Sequence, residues 1–104
     1  LEAEVRARFR DMENVIITQG RVPDSFARAM PEQIAFLHVD MNNAEAEIAA
    51  LEVLFDRVAP GGVIILDDYG WIAYEKQMKA ERNWFAQRGY HVLELPTGQG
   101  LVIR

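Results

Sequence analysis

The sequence predicts an α/β fold, a mostly parallel sheet of about five strands that ends in an antiparallel hairpin. Three observations lead there. The run Val63-Ile64-Ile65-Leu66 is short, β-branched and continuously apolar, and it lies between Pro60-Gly61-Gly62 and Gly70, as a strand covered on both faces requires. Strand-like runs alternate with helix-period stretches, the order that gives parallel strands joined by right-handed crossovers. The last two apolar runs, His91 to Leu95 and Leu101 to Ile103, are joined only by Pro96-Thr97-Gly98-Gln99-Gly100, which suits a hairpin and is too short for a parallel crossover.

Each element follows from local pattern. Leu1, Val5, Phe9 and Met12 recur at helical spacing, with Glu early and Arg late, and predict an amphipathic helix from Leu1 to Met12. Val15 to Thr18 is a β-branched run ending at Gln19-Gly20 and reads as a first strand. Pro23-Asp24-Ser25 starts a short helix that carries Phe26 and Met30 and stops at Pro31. Ile34 to Asp40 is a second buried strand closing on a carboxylate. Asn42 or Asn43 caps the next helix, Glu45 and Glu47 lie in its first turn, and Ile48, Leu51, Phe55 and Val58 form its core stripe. After the strand that ends at Asp67-Asp68, Trp71 to Arg88 reads as a helix with Tyr74, Met78 and Phe85 inward and Gly89 as C-terminal cap.

Composition narrows the function classes. A chain of 104 residues, half of them hydrophobic, supports one modest core and no more than a single domain. A net charge of -5 without any Lys/Arg cluster argues against nucleic-acid and anionic-membrane partners and favours a small molecule or a protein. The absence of cysteine removes disulfide and thiol chemistry and is compatible with a cytoplasmic location. No apolar run has the length of a membrane span, and the opening Leu-Glu-Ala-Glu-Val-Arg is not a signal peptide, so a chain beginning at Leu1 reads as a fragment or a processed product.

The chemistry gathers at strand ends. In open α/β sheets ligands bind beyond the carboxyl ends of the strands, where Asp40, Asp67 and Asp68 fall. If the two strands are neighbours, their tips lie about 4.8 Å apart. Carboxylates that close raise one another's pKa unless a hard divalent ion or a donor compensates; the alternative is that these acids cap helix N-termini or turns. His38 lies two residues before Asp40 on the same side of the strand, either buried with one nitrogen satisfied or serving as an acid or base. Tyr69, Trp71 and Tyr74 are core residues or the wall of a pocket for a ring-shaped substrate. Gly98-Gln99-Gly100 is a tight turn first and a substrate loop second. There is no Gly-x-Gly-x-x-Gly phosphate loop and no Ser/His/Asp or Cys/His arrangement.

Three blocks then carry a resemblance over nearly the whole chain: Leu37-His38-Val39-Asp40-Met41-Asn42, Val58-Ala59-Pro60-Gly61-Gly62 through Asp67-Asp68-Tyr69-Gly70, and Leu95-Pro96-Thr97-Gly98-Gln99-Gly100. In these the sequence resembles the macrocin O-methyltransferase family of class I S-adenosylmethionine-dependent enzymes. The resemblance implies Mg²⁺-assisted methylation of a hydroxyl on a sugar or related natural product, with Asp40, Asp67 and Asp68 as metal ligands. With His38 from its place on the strand, Asp40 and Asn42 complete the catalytic candidates. The family often has a second acid, a candidate general base, at the place of Asn42, whose amide cannot take a proton at neutral pH. The loop from Gln19 to Ser25 corresponds to one on the adenine side, which makes Gly20, Asp24 and Ser25 the cofactor-binding candidates.

The glycine-rich first strand and the ribose-binding acid of that fold are not in this sequence, so the resemblance places the chain in the C-terminal portion, strands three to seven of the order 3-2-1-4-5-7-6. The isolated chain is then expected to bind S-adenosylmethionine weakly and to transfer methyl groups negligibly. The strand from Val15 to Thr18 is expected to slide in beside Ile34–Asp40. Its bare outer edge predicts a homo-oligomer or a missing N-terminal half as partner. The alternative is a non-catalytic binding or dimerisation module of the same fold, and a nucleotide-binding domain is disfavoured by the missing phosphate loop.

Overall fold

Register decides which side chains share a face, and it is set by four strands, β1 (Ile34–Val39), β2 (Val58–Leu66), β3 (Leu93–Glu94) and β4 (Gly100–Ile103), in the order β1-β2-β4-β3. β1 and β2 are parallel, while β4 runs antiparallel to both β2 and β3. The computed structural model describes residues 1–104 and divides them into two compact units, Leu1–Met30 and Pro31–Arg104.

In the first unit, helix α1 (Glu2–Arg8) is shorter than the Leu1–Met12 pattern predicts and buries none of its residues. Its ends match the dipole, with Glu2 and Glu4 first, Arg6 and Arg8 last, and an Arg6–Glu2 ion pair of 2.7 Å. Beyond Arg8 the backbone tightens into three-residue turns, since a helix that buries no apolar face gains little by extending. Val15 to Thr18 has no ladder partner and forms no strand, which corrects the five-strand expectation to four and leaves β1 and β2 as the parallel pair. Extended backbone counts as strand only when its N–H and C=O groups find a neighbour. The predicted helix after Pro23 is a single 3₁₀ turn, Asp24–Ala27, with Ser25 buried.

In the second unit, α2 (Ala44–Leu54) crosses from β1 to β2 and α3 (Glu75–Ala86) leads from β2 to β3. Asn43 caps α2, its Oδ1 accepting from the Ala46 N–H at 3.0 Å. Gly89, with φ of +82°, ends α3 as predicted, and the Tyr90 N–H returns to the Phe85 carbonyl at 3.0 Å. The two helices supply Ala50, Leu51, Leu54, Trp84 and Phe85 to a core shared with Val39, Ile64, Leu66 and Val102 of the sheet. Phe55 is the hub of its aromatic part, meeting Trp84, Phe85 and Tyr90 edge-on at centroid distances of 5.3, 5.9 and 5.3 Å.

Only one sheet face is closed in this way. The register puts Phe36, Val63 and Ile103 in one row of the other face, and His38, Ile65, Leu101 and Leu93 in the next. Phe36, Leu93 and Ile103 are 63%, 60% and 59% exposed, so the expectation that the β2 run is covered on both faces is corrected: Ile64 and Leu66 are buried, Val63 and Ile65 half-buried.

Candidate functional site

The acid rim follows from the parallel pairing of β1 and β2. The last ladder contacts are His38 opposite Ile65 and Val39 opposite Leu66, and the Asp67 N–H then donates to the Val39 carbonyl at 2.9 Å. Asp40 and Asp67 are thereby the first residues past the ends of neighbouring strands. Asp68 has φ of +52°, as does Asn42 after the other strand, a left-handed conformation for which Asp and Asn are among the better-suited residues. These two turns fold the chain back at the rim, and one carboxylate oxygen from each of Asp40, Asp67 and Asp68 lies within 4.8 Å of the others.

No helix cap uses these acids. Asn43 caps α2, and α3 has no side-chain cap bond, so the capping alternative is corrected. The rim's own partners are few. Asp67 Oδ1 accepts from Gln99 Nε2 at 2.9 Å and lies 3.3 Å from His38 Nε2. The Gln99 amide holds the Asp67 carboxyl below its ordinary value, burial opposes this, and His38 adds to the lowering. Asp68 is displaced the other way, first by desolvation and then by the charges of Asp67 and Asp40. One acid is thus held ionised beside another that resists ionisation. A hard cation bound through oxygen relieves that conflict, so the donor set fits Mg²⁺ or Mn²⁺.

His38 is exposed, which corrects the expectation of a buried imidazole, and it faces the rim beside Asp67. Asn42 is exposed at the mouth of a groove of about 800 Å³ that runs between the starts of α2 and α3, with Asn43, Ile48, Tyr74, Lys76 and Gln77 among its walls. The aromatic trio separates: Tyr69 is core, Trp71 is exposed against the Gly98 turn, and only Tyr74 reaches the groove. Gly20, Asp24 and Ser25 fall in the first unit, where Gly20 has φ of +143° and Ser25 is buried.

Two polar residues that bear on the rim were not singled out as site residues in the sequence. Gln99, assigned to a tight turn, is the donor that fixes Asp67, placed there by the β3–β4 hairpin. Glu47, counted as a first-turn acid, is buried, with Oε1 accepting from the Met41 N–H at 3.1 Å and Oε2 from Gln77 Nε2 at 2.6 Å. Beside it Glu81 is fully buried, and burial first, then Glu47, push its carboxyl up to about 10. Neither Glu81 oxygen has a hydrogen-bond partner in this conformer; protonated, the carboxyl can donate to Glu47.

Replacing Gln99 by alanine is expected to return the Asp67 pKa toward its ordinary value. A depressed carboxylate contributes stability above its unfolded pKa and loses it as the pH falls through the folded one, so the variant should lose less stability on acidification than wild type. A carboxyl-carbon NMR titration of Asp67 reads the shift directly, and an unchanged midpoint would contradict the assignment.

An α/β unit in which adjacent parallel strands deliver three carboxylates to one rim belongs with the folds that act on ligands at strand carboxyl ends. The particular family is set by comparison: the model for Macrocin-O-methyltransferase (TylF) matches residues 2–92, and the chain belongs to that family. The chain is also similar in fold to the O-methyltransferase NovP, with a TM-score of 0.77 and 23% identity over 99% of this chain. It spans 44% of the NovP chain, less than half its length. No curated protein sequence matches.

Proposed function

We propose that the chain forms the metal- and acceptor-binding portion of an S-adenosylmethionine-dependent O-methyltransferase acting on a hydroxyl of a sugar or a related small molecule. The observation that carries this reading is the gathering of Asp40, Asp67 and Asp68 at one rim in a chain of this family. Asp40, Asp67 and Asp68 would hold Mg²⁺. The ion, when bound, lowers the pKa of the acceptor hydroxyl and fixes its oxygen. The chain's own residues supply the rest: Gln99 and His38 keep Asp67 aimed at the rim, and the Asn42 amide orients an acceptor by hydrogen bonding. His38 is the imidazole beside the rim that takes the hydroxyl proton.

The groove at Asn42 suits a hydroxylated ring, with Tyr74 and Ile48 for its apolar face and Asn43 and Gln77 for its hydroxyls. The adenine side of the cofactor falls to Gly20, Asp24 and Ser25. Transfer of labelled methyl from S-adenosylmethionine to a panel of sugar hydroxyls tests the reading. The chain alone should give negligible turnover, and addition of a glycine-rich N-terminal portion should produce Mg²⁺-dependent turnover that Asp67→Asn removes. Rapid transfer by the chain alone, or turnover indifferent to Asp67, would sink it.

A second reading, a binding or dimerisation module, is favoured by the open face around Phe36, Leu93 and Ile103 and by the unpaired outer edge of β1. Self-association is expected on this account. Sedimentation over a wide concentration range should show dimers or larger species, and a folded monomer at high concentration would contradict it.

A further inference from the structure

Glu47 lies on α2, seven residues beyond Asp40, and the active-site reading above makes no use of it. Its burial has a purpose only if its two oxygens do something that water cannot, because a buried carboxyl group must have its oxygens matched by donors. They are matched by groups from two different elements: Oε1 by the backbone N–H of Met41, in the turn that carries Asp40 and Asn42, and Oε2 by the Gln77 side chain on α3. Met41 is followed by Asn42 in the left-handed conformation, so the turn bends sharply away from β1 and has few backbone partners of its own. Gln77 and Glu81 stand one helical turn apart on α3 and both face Glu47, which is why the inward stripe of that helix is polar at two positions before it becomes Trp84 and Phe85.

We infer that Glu47 is a positioning residue that fixes the Asp40–Asn42 turn by clamping the Met41 amide, with Gln77 of α3 holding the clamp in place. The inference rests on the metal-site reading for its functional consequence but not for its geometry. The rim is thereby tied to α3, whose Gln77 also lines the groove offered to the acceptor.

Two measurements on the 104-residue chain test this. Hydrogen exchange at the Met41 amide should become about tenfold faster in Glu47→Ala, the loss of one hydrogen bond to a buried acceptor, while Leu51 and Ile64 keep their wild-type rates. Glu47→Gln, which retains an acceptor for Met41, should restore most of the protection. Mn²⁺ affinity, followed by electron paramagnetic resonance, should fall about tenfold in Glu47→Ala, the lower end of what second-sphere partners of metal ligands contribute. If Glu47→Ala does not fold, Gln77→Ala leaves Glu47 in place, frees its Oε2 and should still raise Met41 exchange above that of the core. Unchanged Met41 exchange, or exchange that rises equally at Leu51 and Ile64, would overturn the inference. Absence of Mn²⁺ binding in the wild type would remove the metal reading alone, since the exchange comparison decides the role of Glu47 without any ion.

Discussion

Asp67→Asn is expected to weaken Mn²⁺ binding by at least about 100-fold, because outer partners of metal ligands already contribute 10- to 100-fold and a charged ligand must exceed them. The substitution keeps the shape of the side chain and an oxygen able to accept from Gln99, so the rim should survive while a third of its charge is lost. The same change should ease the upward displacement of Asp68, to which the Asp67 charge contributes. Isothermal calorimetry with Mn²⁺ and Mg²⁺ measures the loss, with the exposed Asp56→Asn as a control. Equal affinity in Asp67→Asn and wild type would exclude Asp67 as a ligand.

Glu81→Gln should stabilise the protein at neutral pH and flatten the dependence of its stability on pH. A buried acid whose folded pKa is raised holds a proton in the native state that the unfolded chain has already released. Above the ordinary value of 4.5 the native state therefore binds more protons than the unfolded state, and stability falls as the pH rises toward the folded pKa. At pH 7 this costs on the order of 3 kcal/mol, each pH unit counting about 1.4 kcal/mol. Glutamine is neutral throughout and has an amide able to donate to Glu47, so the penalty disappears while the packing remains. Urea unfolding at pH 5 and pH 8 should show a smaller difference for Glu81→Gln than for wild type. An unchanged slope, or a destabilised variant at pH 8, would show that the carboxyl is ionised in the fold.

The rim was legible because strand-end acids need no tertiary information beyond the adjacency of two strands. Once Ile34–Val39 and Val58–Leu66 are parallel neighbours, Asp40 and Asp67 must approach. The clamp of Glu47 and Gln77, with Glu81 buried beside it, was not legible, because three polar residues at helical positions read as solvent-facing, and only the packing of α2 on α3 turns them inward. Gln99 was hidden in the same way, its reach to Asp67 depending on a hairpin that returns beside β2. Val15 to Thr18 shows the opposite failure: β-branched residues favour extended backbone, but strand formation depends on a partner that local sequence cannot supply. The open face around Phe36 belongs to that class too, since an apolar run records that a face is meant to be covered without saying by what.

Substoichiometric Mn²⁺, followed by paramagnetic broadening of backbone amide signals, tests the metal site most directly. The account predicts that Val39 to Asn42, Asp67 to Tyr69 and Gln99 broaden first and together, that the exposed acids Glu75 and Asp56 away from the rim do not, and that the effect vanishes in Asp67→Asn. Broadening spread evenly over the exposed acids, or persisting in Asp67→Asn, would contradict it.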